Sequence, residues 1–444
     1  MRRTPILIPW GSSMARLLLI FLLLPGTAWG AGPETVSEAE LGRSQAVQDG
    51  GEIQVFLLTM DQGEEVWELF GHNALLIRNR TTGEELVWNW GLFNFEDVDF
   101  IPRFLRGTMR YTMGPAPPLP FLQAYQQAGR TVYSNEVHLT PEQARSLDEF
   151  VRWNYLPENR PYIYDYFRDN CSTRVRDALD GVLDGAIRDA FYDVDSGRSY
   201  RWYTRRLVQV TGWVDQGLSF LLGTRGDLPR TEWEAMFLPM ELLESLETFQ
   251  LEGPDGTSQP LLGPRQTVVE GTREAPPETP PGYSILWVLL GGMGAGIILL
   301  AGTRLPSGSR RQRWGLALLG GAWSLFAGAL GLILLASWLT DHVFIQRNVN
   351  ILYASPLAFP LALFLVLSAL RQPWWEGHPR RVAGWLAILV AGGSILGVLL
   401  QLSPWVTQGN GEVVSVALPI NLALAWALRP LPRSGSPDGR LENA

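Results

Sequence analysis

The sequence predicts an α+β extracytoplasmic domain followed by an all-α transmembrane domain of five helices. Three observations carry this reading. Residues 32–282 are rich in charge, whereas residues 283–429 hold long apolar runs. The charged half opens with β-favouring runs and continues with helical ones, the order of an α+β domain. The chain itself begins with basic and then apolar residues, as secretory signals do. Whole-chain averages hide the division: 46% hydrophobic residues and a mean hydropathy near zero would suit a soluble protein.

The first 32 residues read MRRTPILIPWGSSMARLLLIFLLLPGTAWGAG. Arg2, Arg3 and Arg16 precede the apolar run Leu17–Leu24. A Pro-Gly break follows, with Ala28 and Gly30 placed for a cut before Ala31. A signal peptide is therefore expected over 1–30, the other reading being an uncleaved anchor. No cysteine stands just after the run, at the expected cut, so the chain is not itself expected to carry a lipid. The formal net charge of −8 argues against a nucleic-acid partner.

In the exported part, IQVFLLTM at 53–60 is a strand by its apolar, β-favouring run. HNALLIRN at 72–79 and EELVWNW at 84–90 flank a Thr-Thr-Gly turn and suggest a hairpin. TVYSNEVHL at 131–139 is a further strand. A helix then starts with Thr140 as N-cap and Pro141 in its first turn, and places Leu147, Phe150 and Val151 on one face. Cys171–Leu183 reads as a second helix, and 200–250 as mostly helical. The domain is expected over 31–251. The Pro/Gly-rich segment 252–282 lacks periodicity and reads as a linker.

Five apolar segments follow, at 284–303, 314–339, 351–370, 382–401 and 413–428, within a transmembrane domain at 283–429. The first four read as long enough to cross about 30 Å of hydrocarbon. The fifth is shorter and carries Pro419 and Asn421. Arg304, Arg310, Arg311 and Arg313 crowd one loop, Arg371, Arg380 and Arg381 another, and Arg429, Arg433 and Arg440 the tail at 430–444. The positive-inside rule puts these in the cytoplasm and residues 31–282 outside, in agreement with a signal peptide.

Cys171 is the only cysteine, within YDYFRDNCSTRVRDAL at 164–179. One reading is a small buried hydrophobe. The other is a reactive thiol. Asp169 or Asn170 can cap the helix that begins at Cys171, and a thiol in a first turn meets the positive end of the helix dipole. Arg168, Arg174 and Arg176 lie close in sequence and would act the same way, offset by Asp169 and Asp177. A nucleophilic cysteine needs a base. The chain has four histidines. His378 falls in a cytoplasmic loop, His138 reads as an ordinary strand position, and His342 lies just beyond the second membrane segment. His72, in FGHNALLI, shares the exported domain with Cys171. Period-2 counting puts Asn89 on the matching face of the partner strand, where it would orient an imidazole; Asn73 and Asn94 compete for that part.

GHNALLIRN, VWNWGLFNFED and YDYFRDNCSTRVRDAL together resemble the periplasmic domain of the Lnb-type lipoprotein N-acyltransferases, and the five apolar segments resemble that family's membrane domain. The likeness runs from about residue 50 to 430. The order, a histidine strand before a cysteine helix, is also similar to circularly permuted papain-like folds of the NlpC/P60 type. The resemblance implies Cys171 as nucleophile and His72 as base. It implies an acyl chain moved from a membrane phospholipid, through a Cys171 thioester, to the N-terminal amine of a bacterial lipoprotein, with no cofactor and no metal. The Cys171 amide is expected to hold the oxyanion, with Tyr164 or Tyr166 as a second donor. Asn170 is expected at the same substrate site, and Asp341, His342, Asn348 and Asn350 are candidates for lipid head groups, or form a wet loop. A hydrolase of the same fold, acting on lipid esters or cell-wall peptides, and a non-catalytic binding or sensor module are the alternatives. A transporter is disfavoured because the segments lack charge in mid-span.

Overall fold

A computed structural model describes residues 52–93, 98–252, 257–303, 309–370 and 378–429. The expected signal peptide, the tail at 430–444, Asn94, Arg304 and Arg371 lie outside the described residues. The chain divides into two compact units. One comprises residues up to Gly63, Gly71–Ala190 and Met236–Arg273; the other comprises Glu64–Phe70, Phe191–Ala235 and the chain from Glu274 onward.

The strands in chain order are β1 (Ile53–Met60), β2 (His72–Asn79), β3 (Glu85–Leu92), β4 (Arg110–Ala116), β5 (Val132–Glu136), β6 (Tyr162–Ile163), β7 (Asp195–Ser199), β8 (Pro229–Thr231), β9 (Gln250–Glu252), β10 (Ser258–Pro260) and β11 (Gln266–Val269). In the first unit a seven-stranded sheet runs β11-β5-β1-β2-β3-β4-β6. Its pairs are antiparallel, and a short turn joins β2 to β3, whereas residues 61–71 connect β1 to β2. Leu58, Met60, Ala74, Leu76 and Val87 form one buried cluster with Phe121 and Leu122 of the helix Pro118–Gln127. The mixed α+β class is as the order of strand runs before helical ones implied.

Local signals fixed the helix starts. Thr140 and Gln143 form a capping box at the head of Pro141–Asn154. Leu147 and Val151 of that helix are fully buried, but Phe150 is exposed at its margin, where it tilts against Trp153. Asn170 caps the helix Cys171–Val182, its side-chain oxygen accepting from the amides of Ser172 and Thr173. That helix packs on β2 and β3.

The segment read as a linker contains structure. β10 pairs with β9, and β11 pairs with β5 at the edge of the main sheet, with Leu261, Leu262 and Val269 buried. A three- or four-residue edge strand needs backbone pairing rather than a long apolar run, so its composition does not announce it.

Among the described residues, the second unit holds four helices long and apolar enough to cross a membrane: Ile285–Thr303, Arg310–Leu339, His378–Gln401 and Gly411–Leu428. The third expected segment is the short one. It forms a 3-10 turn at Val349–Leu352 and then a 13-residue helix, Ala358–Leu370. At 1.5 Å per residue that helix is about 20 Å long, less than a hydrocarbon core. Pro356, with no N–H to give, lies in the break between the two pieces. The fifth segment is a full helix, and its Asn421 is satisfied by Tyr353, Ser394 and Trp323. Close approach rests on small residues: a Cβ at Gly291 would lie 2.0 Å from the Ser415 carbonyl oxygen.

Tyr200–Val208 and Gly212–Leu221 belong to this second unit. Arg205 bonds Asp215 at 2.8 Å and Glu412 at 3.0 Å. Asn348 donates to the carbonyls of Phe220 and Leu221, and Asn350 to that of Phe220. Gln408 and Asn410 complete the network by donating to Asn348 and Asn350.

Gly71 sits where β1 and β2 end, one residue before His72, with φ +78°. A Cβ there would stand 2.8 Å from the Met60 carbonyl oxygen. Gly71→Ala is expected to destabilise the first unit by at least about 1–2 kcal/mol, the cost of left-handed backbone for an L-residue. The apparent Tm from a thermal melt checks this.

Candidate active site

The site forms where the head of one helix meets the ends of two strands. His72 is the first residue of β2, and Cys171 the first of its helix. Ala74 pairs with Asn89 across β2 and β3, which brings Asn89 level with the His72 ring. His72 Nε2 lies 2.5 Å from Asn89 Oδ1. An amide oxygen only accepts, so Nε2 carries the hydrogen and Nδ1 is left to face a proton donor. Asn73 points to the opposite face, where its Nδ2 donates to Thr59 Oγ1 at 2.8 Å. Asn89 is thus the asparagine that meets His72.

Cys171 is 9% exposed. Burial pushes its pKa up, but the charge of His72 and a hydrogen bond to it pull harder, helped by the Asn73 and Ser172 amides, and the thiol titrates below its ordinary 9.0. His72 answers in the opposite sense. Burial lowers its pKa, while the Cys171 charge and hydrogen bonds to Cys171 and Asn89 raise it above 6.5 overall. Arg130, buried and donating to the Asp61 carbonyl, opposes that rise. The arrangement therefore favours a thiolate beside an imidazolium. The nearby arginines are not what lowers the thiol. Arg174 is paired with Asp169, and Arg176 with Asp177 at 2.8 Å.

One glycine and two tyrosines complete the surroundings. Gly91 occupies a bulge between Trp90 and Leu92 with φ +92°. A Cβ there would lie 3.5 Å from Cys171 Cβ and 3.7 Å from His72 Cε1. A side chain at Gly91 would thus crowd the reacting pair. Tyr164 stacks on Tyr111 at 4.1 Å, and both phenols are pushed well up by burial and then by the Cys171 charge. They remain neutral donors. Tyr111 carries no sequence signal: it belongs to β4, sixty residues away in the chain, and only the sheet brings it to the site. Tyr166 turns elsewhere, 44% exposed, with its hydroxyl donating to Met109 Sδ at 3.8 Å.

Asn170 does not offer its side chain outward. Beyond capping, its Nδ2 donates to the carbonyls of Tyr166 and Phe237, both at 2.9 Å. The amides of Ser172 and Thr173 go to its oxygen and that of Arg174 to its carbonyl. The Cys171 amide is the first-turn N–H that these bonds leave over. The remaining expected residues belong to the second unit. There Asn348 and Asn350 are buried and spend their amides on the network of Phe220, Leu221, Gln408 and Asn410. Asp341 is exposed and His342 half-buried. His138 is held by the Pro260 carbonyl at 2.9 Å.

Chemically, a thiolate with an imidazolium at its side and a spare helix-head amide suits nucleophilic attack on a carbonyl. Its reactivity is expected to rise with pH through a midpoint below 9.0, because deprotonation creates the nucleophile. In His72→Ala only burial and the backbone amides act, so the midpoint should move up and the rate near neutral pH should fall. Iodoacetamide alkylation of the native protein across pH measures this. A thiol that reacts only after unfolding would contradict it.

Residues 44–206 match the family model of the Lnb N-terminal periplasmic domain. No curated protein and no solved structure matches the chain. The match spans His72, Asn89 and Cys171, and among the described residues four membrane-length helices follow it. Residues 44–206 thus match an Lnb N-terminal periplasmic domain, in a chain whose later residues include helices of membrane-spanning length.

Proposed function

We propose that this chain is a membrane-bound acyltransferase that moves an acyl chain from a phospholipid to the N-terminal amine of a lipoprotein. The observation that carries the reading is the line Cys171, His72, Asn89, set in an Lnb periplasmic domain. The Cys171 sulfur attacks the ester carbonyl carbon, and a C–S bond forms as the carbonyl oxygen takes up negative charge. The Cys171 amide and a neutral phenol, Tyr164 or Tyr111, stabilise that oxygen. Collapse breaks the ester C–O bond. The departing lyso-lipid oxygen takes the proton from His72 Nδ1, leaving a Cys171 thioester and neutral imidazole. The lipoprotein amine then attacks the thioester carbonyl, His72 takes its proton, and the thiolate leaves. An ester and an amine have become an amide and an alcohol, with no cofactor in any step.

The order of the histidine strand and the cysteine helix supports assigning the domain to the circularly permuted papain-like enzymes. The Arg-rich loops support a cytoplasmic C-terminus. With that orientation the reacting groups share the side of the membrane from which a lipoprotein's lipidated end is reached.

The test is reconstitution of the full chain with phospholipid and a diacylated lipopeptide bearing a free α-amine, read by tandem mass spectrometry. An amide-linked third chain is expected with the wild type and none with Cys171→Ala. Asn89→Ala should slow transfer by about 10- to 100-fold, since a hydrogen bond to a charged group contributes about 1.5–3 kcal/mol. Free fatty acid with unmodified lipopeptide would instead mark a hydrolase.

A further inference from the structure

The helix Phe100–Arg106 buries none of its residues. Its sequence, FIPRFLR, is apolar and basic, with Leu105 54% exposed and Val98 fully exposed in the turn before it. Phe100, Ile101 and Phe104 are half-buried, and Leu105 is left facing water. The helix is continuous with the site. Phe104 stacks on Phe100 at 6.5 Å, Phe100 on Phe93 at 6.0 Å, Phe93 on Tyr111 at 4.8 Å and Tyr111 on Tyr164 at 4.1 Å. The last two rings are those that feel the Cys171 charge. A file of aromatic faces thus runs from a partly exposed apolar helix to two phenols within reach of the Cys171 charge. Ile163, on the strand that pairs with β4 beside Arg110, extends the exposed apolar surface.

We infer that the helix Phe100–Arg106 is a lipid-contact element that dips into the bilayer surface and passes a phospholipid acyl chain along the ring file toward Cys171. Arg106 and Arg110 are exposed at its C-terminal end, placed to meet lipid phosphates. Helices of this kind set their apolar face about 5–10 Å into the boundary between head groups and acyl chains. The inference rests on the acyl-transfer reading for its substrate, but the contact with lipid is measurable without catalysis.

Cys171 is the only cysteine, so Cys171→Ser gives a background in which a single label is placed at will. Leu105→Cys in the full chain, labelled with bimane, is reconstituted in nanodiscs of phosphatidylglycerol and phosphatidylcholine brominated high on the acyl chain. Val98→Cys serves as a second position, and Glu142→Cys, exposed on the helix after β5, as the control. Bromolipid should quench the labels at 105 and 98 and leave that at 142 bright. Bright labels at 105 and 98 would overturn the inference, and a response there only to added lipopeptide would reassign the helix to a protein partner. Quenching without acyl transfer in the reconstituted wild type would uphold the lipid contact and sink the catalytic reading instead.

Discussion

The Cys171 thiol and the His72 imidazole are brought together here by the seating of one helix head on the ends of two strands. Asn170 makes that seating possible. Its oxygen takes two first-turn amides, and its nitrogen reaches two carbonyls, one of them on Phe237 far along the chain. Four bonds on a single buried side chain fix the direction in which the helix leaves and the place where Cys171 stands. Ser172 adds a fifth tie, its hydroxyl donating to the Met236 carbonyl at 2.7 Å. Neither residue touches the reacting carbonyl in the proposed chemistry. They act as positioning residues.

Burial and charge oppose each other at this site, and charge prevails. Removing a thiol and an imidazole from water disfavours the ionised form of each. Because the two forms carry opposite signs, each ion lowers the cost of the other, and low dielectric strengthens their attraction. Asn89 contributes by fixing the ring tautomer. Arg174 and Arg176, near Cys171 in sequence, are engaged by aspartates and do not carry the effect.

Much of the site was legible in the sequence because its signals are local. Thr140-Pro141 and Asn170-Cys171 are helix heads written in adjacent residues, and the His72 and Asn89 strands are joined by one short turn. What was not legible depends on pairing at a distance. Tyr111 reaches the site only through β3–β4 pairing, and Gly91 matters because of a bulge that no periodicity predicts. β11 joins the sheet from within a Pro/Gly-rich segment. In the membrane half, apolar length alone did not separate a spanning helix from the broken stretch around Pro356, and Asn421 read as a defect until its partners were in view. Asn348 and Asn350 read as head-group contacts or part of a wet loop because a polar run beside a membrane segment carries no sign of being buried.

The central claim is that Cys171 carries the acyl chain. The most direct measurement is the intact mass of the peptide containing Cys171, from protein purified with its lipids and no acceptor, before and after neutral hydroxylamine. The expected result is an added acyl mass that hydroxylamine removes and that is absent in His72→Ala. A bare thiol under those conditions, together with lipoprotein N-acylation that persists in Cys171→Ala as the cell's sole such enzyme, would contradict the covalent mechanism.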